Sequence, residues 1–148
     1  HLRHLSFIFV QQHVSRLLFF RIMSDKSPSE AQLEILQILW EHEPATVRVI
    51  HEYMSKHRSV GYTTVLKQIQ RMHEKGLVDG KKVGKSFEYT ALVREQQIQN
   101  NLLTRLKNNV FRGSAMKLAL HALNESQPSE EELDQLRNWL ESQRPKEE

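Results

Sequence analysis

The feature that most constrains this fold is a basic hairpin pattern that follows a helix-spaced segment. Two short alternating stretches, from Leu77 to Val83 and from Ser86 to Thr90, flank Gly84-Lys85. Alternation on both sides of a short turn that contains glycine predicts a β-hairpin. Upstream of it, apolar residues recur at helical spacing in three short segments.

The three helical segments have recognisable boundaries. The first begins at the capping-box pattern Ser29-Glu30-Ala31-Gln32 and ends at Glu43-Pro44. The second begins at the N-cap candidate Thr46, and the third runs from about Tyr62 to Lys75, before Gly76. Three helices and a basic hairpin in this order predict a winged helix-turn-helix, a mostly α fold with a small β-hairpin, over residues 23–92.

Residues 1–22 have a different character. They contain three cations and no acid, and their apolar runs fall short of the roughly 18–20 residues that a membrane span needs. Met23-Ser24 resembles an ordinary protein start. We expect residues 1–22 to be an upstream or non-native extension outside the fold. The alternative is an amphipathic helix on a membrane surface.

Residues 93–148 predict three further amphipathic helices, separated near Gly113 and Pro128. Helices this short can hardly form a core alone, so we expect a dimerisation domain that packs against a second copy. The alternative is that they fold back onto the first domain. The apolar positions predicted to form the dimer seam are Ile98, Leu102, Leu106, Val110, Leu136 and Trp139.

Charge is concentrated in one region. The net charge is only +3, yet residues 56–85 carry eight Lys or Arg against Glu74 and Asp79. A local basic patch on a balanced protein is typical of a nucleic-acid contact surface, although a solvated charged face has the same composition.

The outward side of the third helix carries suitable chemistry for DNA. Threonines can bond phosphates or touch a thymine methyl group, and Lys67 and Arg71 can reach phosphate or guanine. Gln68, at the flank, has the donor–acceptor pair that matches an adenine edge. Lysines of the hairpin would add phosphate contacts. The predicted DNA-binding residues are Thr63, Thr64, Lys67, Gln68, Arg71, Lys81, Lys82 and Lys85. An ordinary solvated helix face is the alternative.

Several function classes lack support in the sequence. The chain has no cysteine, no HExxH pattern among its eight histidines and no phosphate-binding loop among its five glycines. We therefore expect no enzyme activity, no metal site and no cofactor. The absence of cysteine fits a reducing compartment, and we expect a cytoplasmic protein.

The segments SEAQLEILQILWEHEPATVRVIHEYM and GYTTVLKQIQRMHEKGLVDGKKVGKSFEYTALV resemble the penicillinase and methicillin-resistance repressors, the BlaI/MecI family. The resemblance covers residues 29–141. It implies a winged helix-turn-helix with a helical dimerisation domain, palindromic operators and control of β-lactamase or related genes. It places Thr63, Thr64, Lys67, Gln68 and Arg71 in the recognition helix, and Tyr89 in the second wing strand.

The resemblance also implies release of repression by proteolysis, through a peptidase of a membrane sensor pathway. Where well-studied members have an Asn-Phe bond, this chain has Arg105-Leu106, so we expect no cleavage there. A copper-responsive branch uses C-terminal cysteines, which this chain lacks. The predicted function is a repressor that binds double-stranded operator DNA as a homodimer, with no membrane partner. The alternative is a winged-helix module that binds a protein.

Overall fold

The computed structural model describes residues 27–145, and the prediction made for residues 1–22 lies outside this range. The helices are α1 (Glu30–His42), α2 (Val47–Ser55), α3 (Tyr62–Glu74), α4 (Glu95–Asn109), α5 (Ala115–Ser126) and α6 (Glu130–Gln143). The strands are β1 (Ala45–Thr46), β2 (Val78–Val83) and β3 (Ser86–Ala91). The chain forms two compact units, one through Ile98 and one from Gln99 onward.

Helix starts follow the capping signals of the sequence. The side chain of Ser29 accepts a hydrogen bond from the Gln32 amide, and Gln32 accepts one from the Ser29 amide, which completes a capping box. Thr46 caps α2 through the amide of Val49. Ser129 forms a second capping box at the start of α6. These bonds satisfy amides that a helix start otherwise leaves without partners.

A three-stranded antiparallel sheet with the order β1-β3-β2 completes the first unit. Strands β2 and β3 form the predicted hairpin, and Gly84 takes the positive φ of +62° that its turn requires. Strand β1 was not predicted, because two residues after Pro44 carry no alternation. It pairs Ala45 with Tyr89 and Thr46 with Glu88. The fold is a winged helix-turn-helix, as predicted: α2 and α3 form the helix-turn-helix, and β2–β3 is the wing.

All thirteen buried apolar side chains of the described residues belong to the first unit. They are Ile35, Leu36, Leu39, Ala45, Val47, Ile50, Met54, Val65, Ile69, Met72, Leu77, Val78 and Ile98. Two hydrogen bonds connect the end of α1 to the chain at and after the end of β3: Trp40 Nε1 donates to the Val93 carbonyl at 2.9 Å, and the Ala91 amide donates to Glu43 Oε2 at 2.7 Å. This core fixes α3 against the sheet.

The second unit has a different surface. None of residues 99–145 is buried. Its large exposed apolar side chains are Leu103, Leu106, Val110, Met116, Leu120, Leu133, Trp139 and Leu140. Single exposed apolar residues are ordinary, but this many in one small helical unit leave it without a core of its own.

Candidate nucleic-acid interface

Helix α3 turns one side to the core and the other to solvent. The buried side consists of Val65, Ile69 and Met72, each 0% exposed. The exposed side carries four predicted residues, namely Thr63, Thr64, Lys67 and Arg71. The N-cap is Gly61, which makes no side-chain capping bond. The start of α3 is therefore free of a competing side chain where a phosphate oxygen could accept backbone N–H bonds.

The register of the wing separates two of its lysines. Lys81 lies opposite Glu88, and Lys82 lies opposite Phe87. Directly opposed residues share a face of an antiparallel sheet, whereas successive residues point to opposite faces. Lys82 therefore shares a face with Phe87, and Lys81 shares the other face with Glu88. Both lysines are exposed, as is Lys85 in the turn.

A shallow concavity of about 370 Å³ identifies the face of the wing that lies toward α3. Its lining residues are Gln70, His73 and Glu74 from α3, with Gly80, Phe87 and Tyr89 from the sheet. Since Phe87 lines this concavity, Lys82 is on the side of α3. Lys81 is on the opposite side, which the sequence prediction did not distinguish.

The ring of Tyr89 lies against the backbone of Gly80, its partner across the strands. A Cβ atom built on Gly80 would come within 2.8 Å of Tyr89 Cε1. Only glycine permits this approach without a shift of the ring. Gln70 also belongs to this region and was not predicted. Its position seven residues after Thr63, two helical turns along the exposed side, is the signal that could have identified it.

Gln68 is placed differently from the other predicted α3 residues. Its side chain is half-buried, and its Oε1 accepts a hydrogen bond of 3.2 Å from Nε2 of Gln32 in α1. The sequence analysis predicted that Gln68 offers both its donor and its acceptor to adenine. In the structure the side-chain oxygen of Gln68 faces the protein instead. The cause is a contact between residues 36 positions apart, which helical spacing does not reveal.

The sequence profile of the family described as penicillinase repressor matches residues 28–142, which is most of the chain. The chain belongs to the penicillinase repressor family. As a member of that family it is a transcriptional repressor.

Individual relatives agree with this membership. The repressor is 31% identical over 112 residues to the methicillin resistance regulatory protein MecI of Mammaliicoccus sciuri, an alignment that covers 76% of this chain and 91% of MecI. It is 26% identical over 113 residues to the penicillinase repressor of Bacillus licheniformis, with 76% and 88% covered. The transcriptional regulator BlaI of Mycobacterium tuberculosis H37Rv shares 44% identity over 45 residues, which cover 30% of this chain and 33% of that protein.

Two solved structures are similar to parts or most of the chain. The solution structure of Bacillus licheniformis BlaI in its monomeric form, in complex with the blaP half-operator, matches with a TM-score of 0.42 and 26% identity. It covers 47% of this chain and 84% of that one. The crystal structure of YusO from Bacillus subtilis matches with a TM-score of 0.49 and 20% identity over 93% and 94% of the two chains.

The residues predicted to form a dimer seam in this repressor do not share one environment. Ile98 is only 5% exposed in the single chain and belongs to the first unit, so it is not available for a partner. This burial within a single chain differs from the predicted place of Ile98 in a seam between two copies. Exposed positions of the second unit are Leu106, Val110 and Trp139, and half-buried ones are Leu102 and Leu136.

The Arg105–Leu106 bond of the repressor lies inside α4. The Leu106 carbonyl accepts a 3.0 Å hydrogen bond from the Val110 amide. The Leu106 side chain is 44% exposed in the single chain. Helical backbone, rather than side-chain burial, is thus what shields the bond in one protomer.

No three His, Asp or Glu side chains of residues 27–145 come together in a way that could hold a metal ion. No helix in the same range combines the length and the apolar character needed to cross a membrane.

Proposed function

We propose that this repressor binds a palindromic double-stranded DNA operator as a homodimer. Helix α3 enters the major groove, and the wing contacts the adjacent backbone. The observation that carries the proposal is the exposed side of α3, where two threonines and two cations lie beside the face of the wing that holds Lys82. Threonine, lysine and arginine are donors suited to phosphates and to major-groove edges.

The homodimer is supported by the surface of the second unit. None of its described residues is buried, while Leu106, Val110 and Trp139 are among eight large apolar side chains that it exposes. Apolar area removed from water contributes about 25 cal/mol per Å², so a second copy of this surface would supply the burial that one copy lacks. A two-fold dimer also matches the symmetry of a palindrome, with one α3 in each half-site.

The cellular role follows from the family. A repressor of this kind would act in the cytoplasm on β-lactamase, cell-wall-stress or sensor-peptidase genes. Release of repression would involve a peptidase of a membrane sensor pathway. Because the Arg105–Leu106 bond lies within the helical backbone of α4, its position supports release of repression by a step other than cleavage of that bond.

Fluorescence anisotropy tests the proposal. The probe is a palindromic duplex that the repressor selects from a random pool, and the control is a scrambled duplex of equal composition. If the dimer neutralises about six or more phosphates, affinity should fall about a thousandfold or more between roughly 50 and 200 mM salt. Equal weak binding to both duplexes, with a flat salt profile, would favour the protein-binding winged-helix module instead.

A further inference from the structure

Gln32 is the sole polar side chain that is buried within residues 27–145, at 3% exposed. Its Oε1 accepts from the Ser29 amide at 3.1 Å and from Lys75 Nζ at 3.0 Å. Its Nε2 donates to Gln68 Oε1 at 3.2 Å. We call Ser29, Gln32, Gln68 and Lys75 the Gln32 network. It joins the start of α1 to the recognition helix.

The polarity of this network is fixed by its two donor-only members. A backbone amide and a lysine ammonium can donate but cannot accept, so the oxygen of Gln32 must face Ser29 and Lys75. The NH₂ group of Gln32 then faces Gln68, and a donor requires an acceptor opposite it. The oxygen of Gln68 is therefore held toward the protein. If the side-chain amide of Gln32 or Gln68 alone turned by about 180°, like groups would face each other at a buried position, without a hydrogen bond.

The other end of the Gln68 amide is available to a ligand. Gln68 Nε2 bonds to no protein group, and no buried side-chain nitrogen or oxygen of the described residues lacks a partner. Nε2 is therefore open to solvent. Gln68 follows Thr64 by four residues and precedes Arg71 by three, so it lies in one strip of α3 with two predicted DNA-binding residues.

We propose that Gln32 makes Gln68 a donor-only recognition residue, which selects an acceptor edge in the operator. The inference rests on the proposed function, operator binding through α3. In the major groove guanine presents two acceptors, O6 and N7, and thymine presents O4. Cytosine presents only a donor amino group there, and adenine sets its donor amino group beside its single acceptor N7, so a second N–H of the Gln68 amide would face a donor. Gln68 thus selects guanine or thymine at one position, and Gln32 is a positioning residue that acts through it.

The decisive variant is Gln32→Glu, because it reverses the polarity and keeps the rest of the network. A glutamate still accepts from the Ser29 amide, as in the commonest capping box, and still accepts from Lys75. It has no N–H, so Gln68 must turn its NH₂ group inward and present its oxygen to DNA. The favoured base at that one position should change from guanine or thymine to adenine or cytosine. The preference should move by about tenfold.

Selection from operators with randomised half-sites measures this change. Gln68→Leu should abolish the preference at the same position, and Gln32→Glu combined with Gln68→Leu should give the same base profile as Gln68→Leu alone. Thermal unfolding checks that each variant folds. If Gln32→Glu fails to fold, Gln32→Met takes its place: without either polar group, the Gln68 amide can rotate and the preference should weaken without reversing.

Two results would overturn the inference. One is an unchanged base profile for a folded Gln32→Glu repressor. The other is a Gln68→Leu profile that is identical to that of the wild type. In both cases specific, salt-dependent binding of the palindrome would leave the proposed function intact. Loss of specific binding by the wild-type repressor would instead contradict the proposed function itself.

Discussion

Replacing Lys82 with alanine removes one cation per protomer from the face of the wing that lies toward α3. Lys81 is its matched control. It is the neighbouring residue, its side chain is also exposed, and it lies on the opposite face of the wing beside Glu88. Both substitutions remove the same charge from the protein as a whole. Any difference between them therefore reports the position of the charge relative to DNA.

The expected magnitude can be worked out from the exposed cations on the α3 side. Each protomer offers Lys67 and Arg71 on α3 and Lys82 on that face of the wing, and Lys85 in the hairpin turn is counted with them as a fourth. A dimer would neutralise about eight phosphates, so the slope of log affinity against log salt should be about −7, and affinity should fall about ten-thousandfold from roughly 50 to 200 mM. Lys82→Ala leaves about six contacts, a slope of about −5 and a fall of roughly a thousandfold.

The assay is anisotropy titration of one labelled operator at four salt concentrations for the wild type, Lys81→Ala and Lys82→Ala. Only Lys82→Ala should flatten the slope, and it should weaken specific and scrambled duplexes alike, because phosphates carry no sequence information. Equal flattening by both variants would refute the argument from strand register. No flattening by either variant would show that the wing does not lie on the DNA backbone.

Three further predictions concern other parts of the chain. Leu106→Asp should place a charge in the proposed dimer seam at a cost of several kcal/mol, so the variant should sediment as a monomer and bind the operator weakly; Thr104→Asp, on the other side of α4, should stay dimeric. Gly80→Ala should cost about 1–3 kcal/mol in urea unfolding by displacing Tyr89, and little in a Tyr89→Ala background; an equal cost in both would contradict the contact. Mass spectrometry of the repressor from antibiotic-treated cells should find no fragments that end at Arg105 or begin at Leu106, because a peptide bond within a helix must open locally before it is cut. The appearance of such fragments together with derepression would disprove this prediction.

Local signals in the sequence predicted the elements that depend on neighbouring residues. Ser29 and Ser129 each form the capping box that their spacing indicated. The hairpin follows from Gly84 and from alternation on either side of it, and Gly76 follows the end of α3 with a φ of +74°. In each case the physical cause lies within a few residues, so the pattern in the chain is sufficient.

Features that depend on distant contacts were not accessible in this way. Strand β1 exists because Ala45 finds Tyr89 across the sheet, and two residues alone show no strand pattern. Ile98 continues the four-residue spacing of α4, yet it is buried in the first unit, while positions further along the same stripe are exposed. Helical spacing identifies an apolar side of a helix but not which partner covers each turn. The separation of Lys81 from Lys82, in contrast, could have been derived from the hairpin turn and the period of two.

The hydrogen bond between Gln32 and Gln68 shows how a tertiary contact can fix which atom of a side chain faces outward. On an isolated helix its amide could rotate freely and match adenine through both atoms. Lys75, the C-cap residue of α3 and seven residues after Gln68, donates to the same Gln32 oxygen that completes the cap of α1. A charge at the end of the recognition helix and a cap at the start of α1 thereby determine which atom of Gln68 faces outward. Base preference in this repressor would then depend on Gln32, a residue that need not touch DNA.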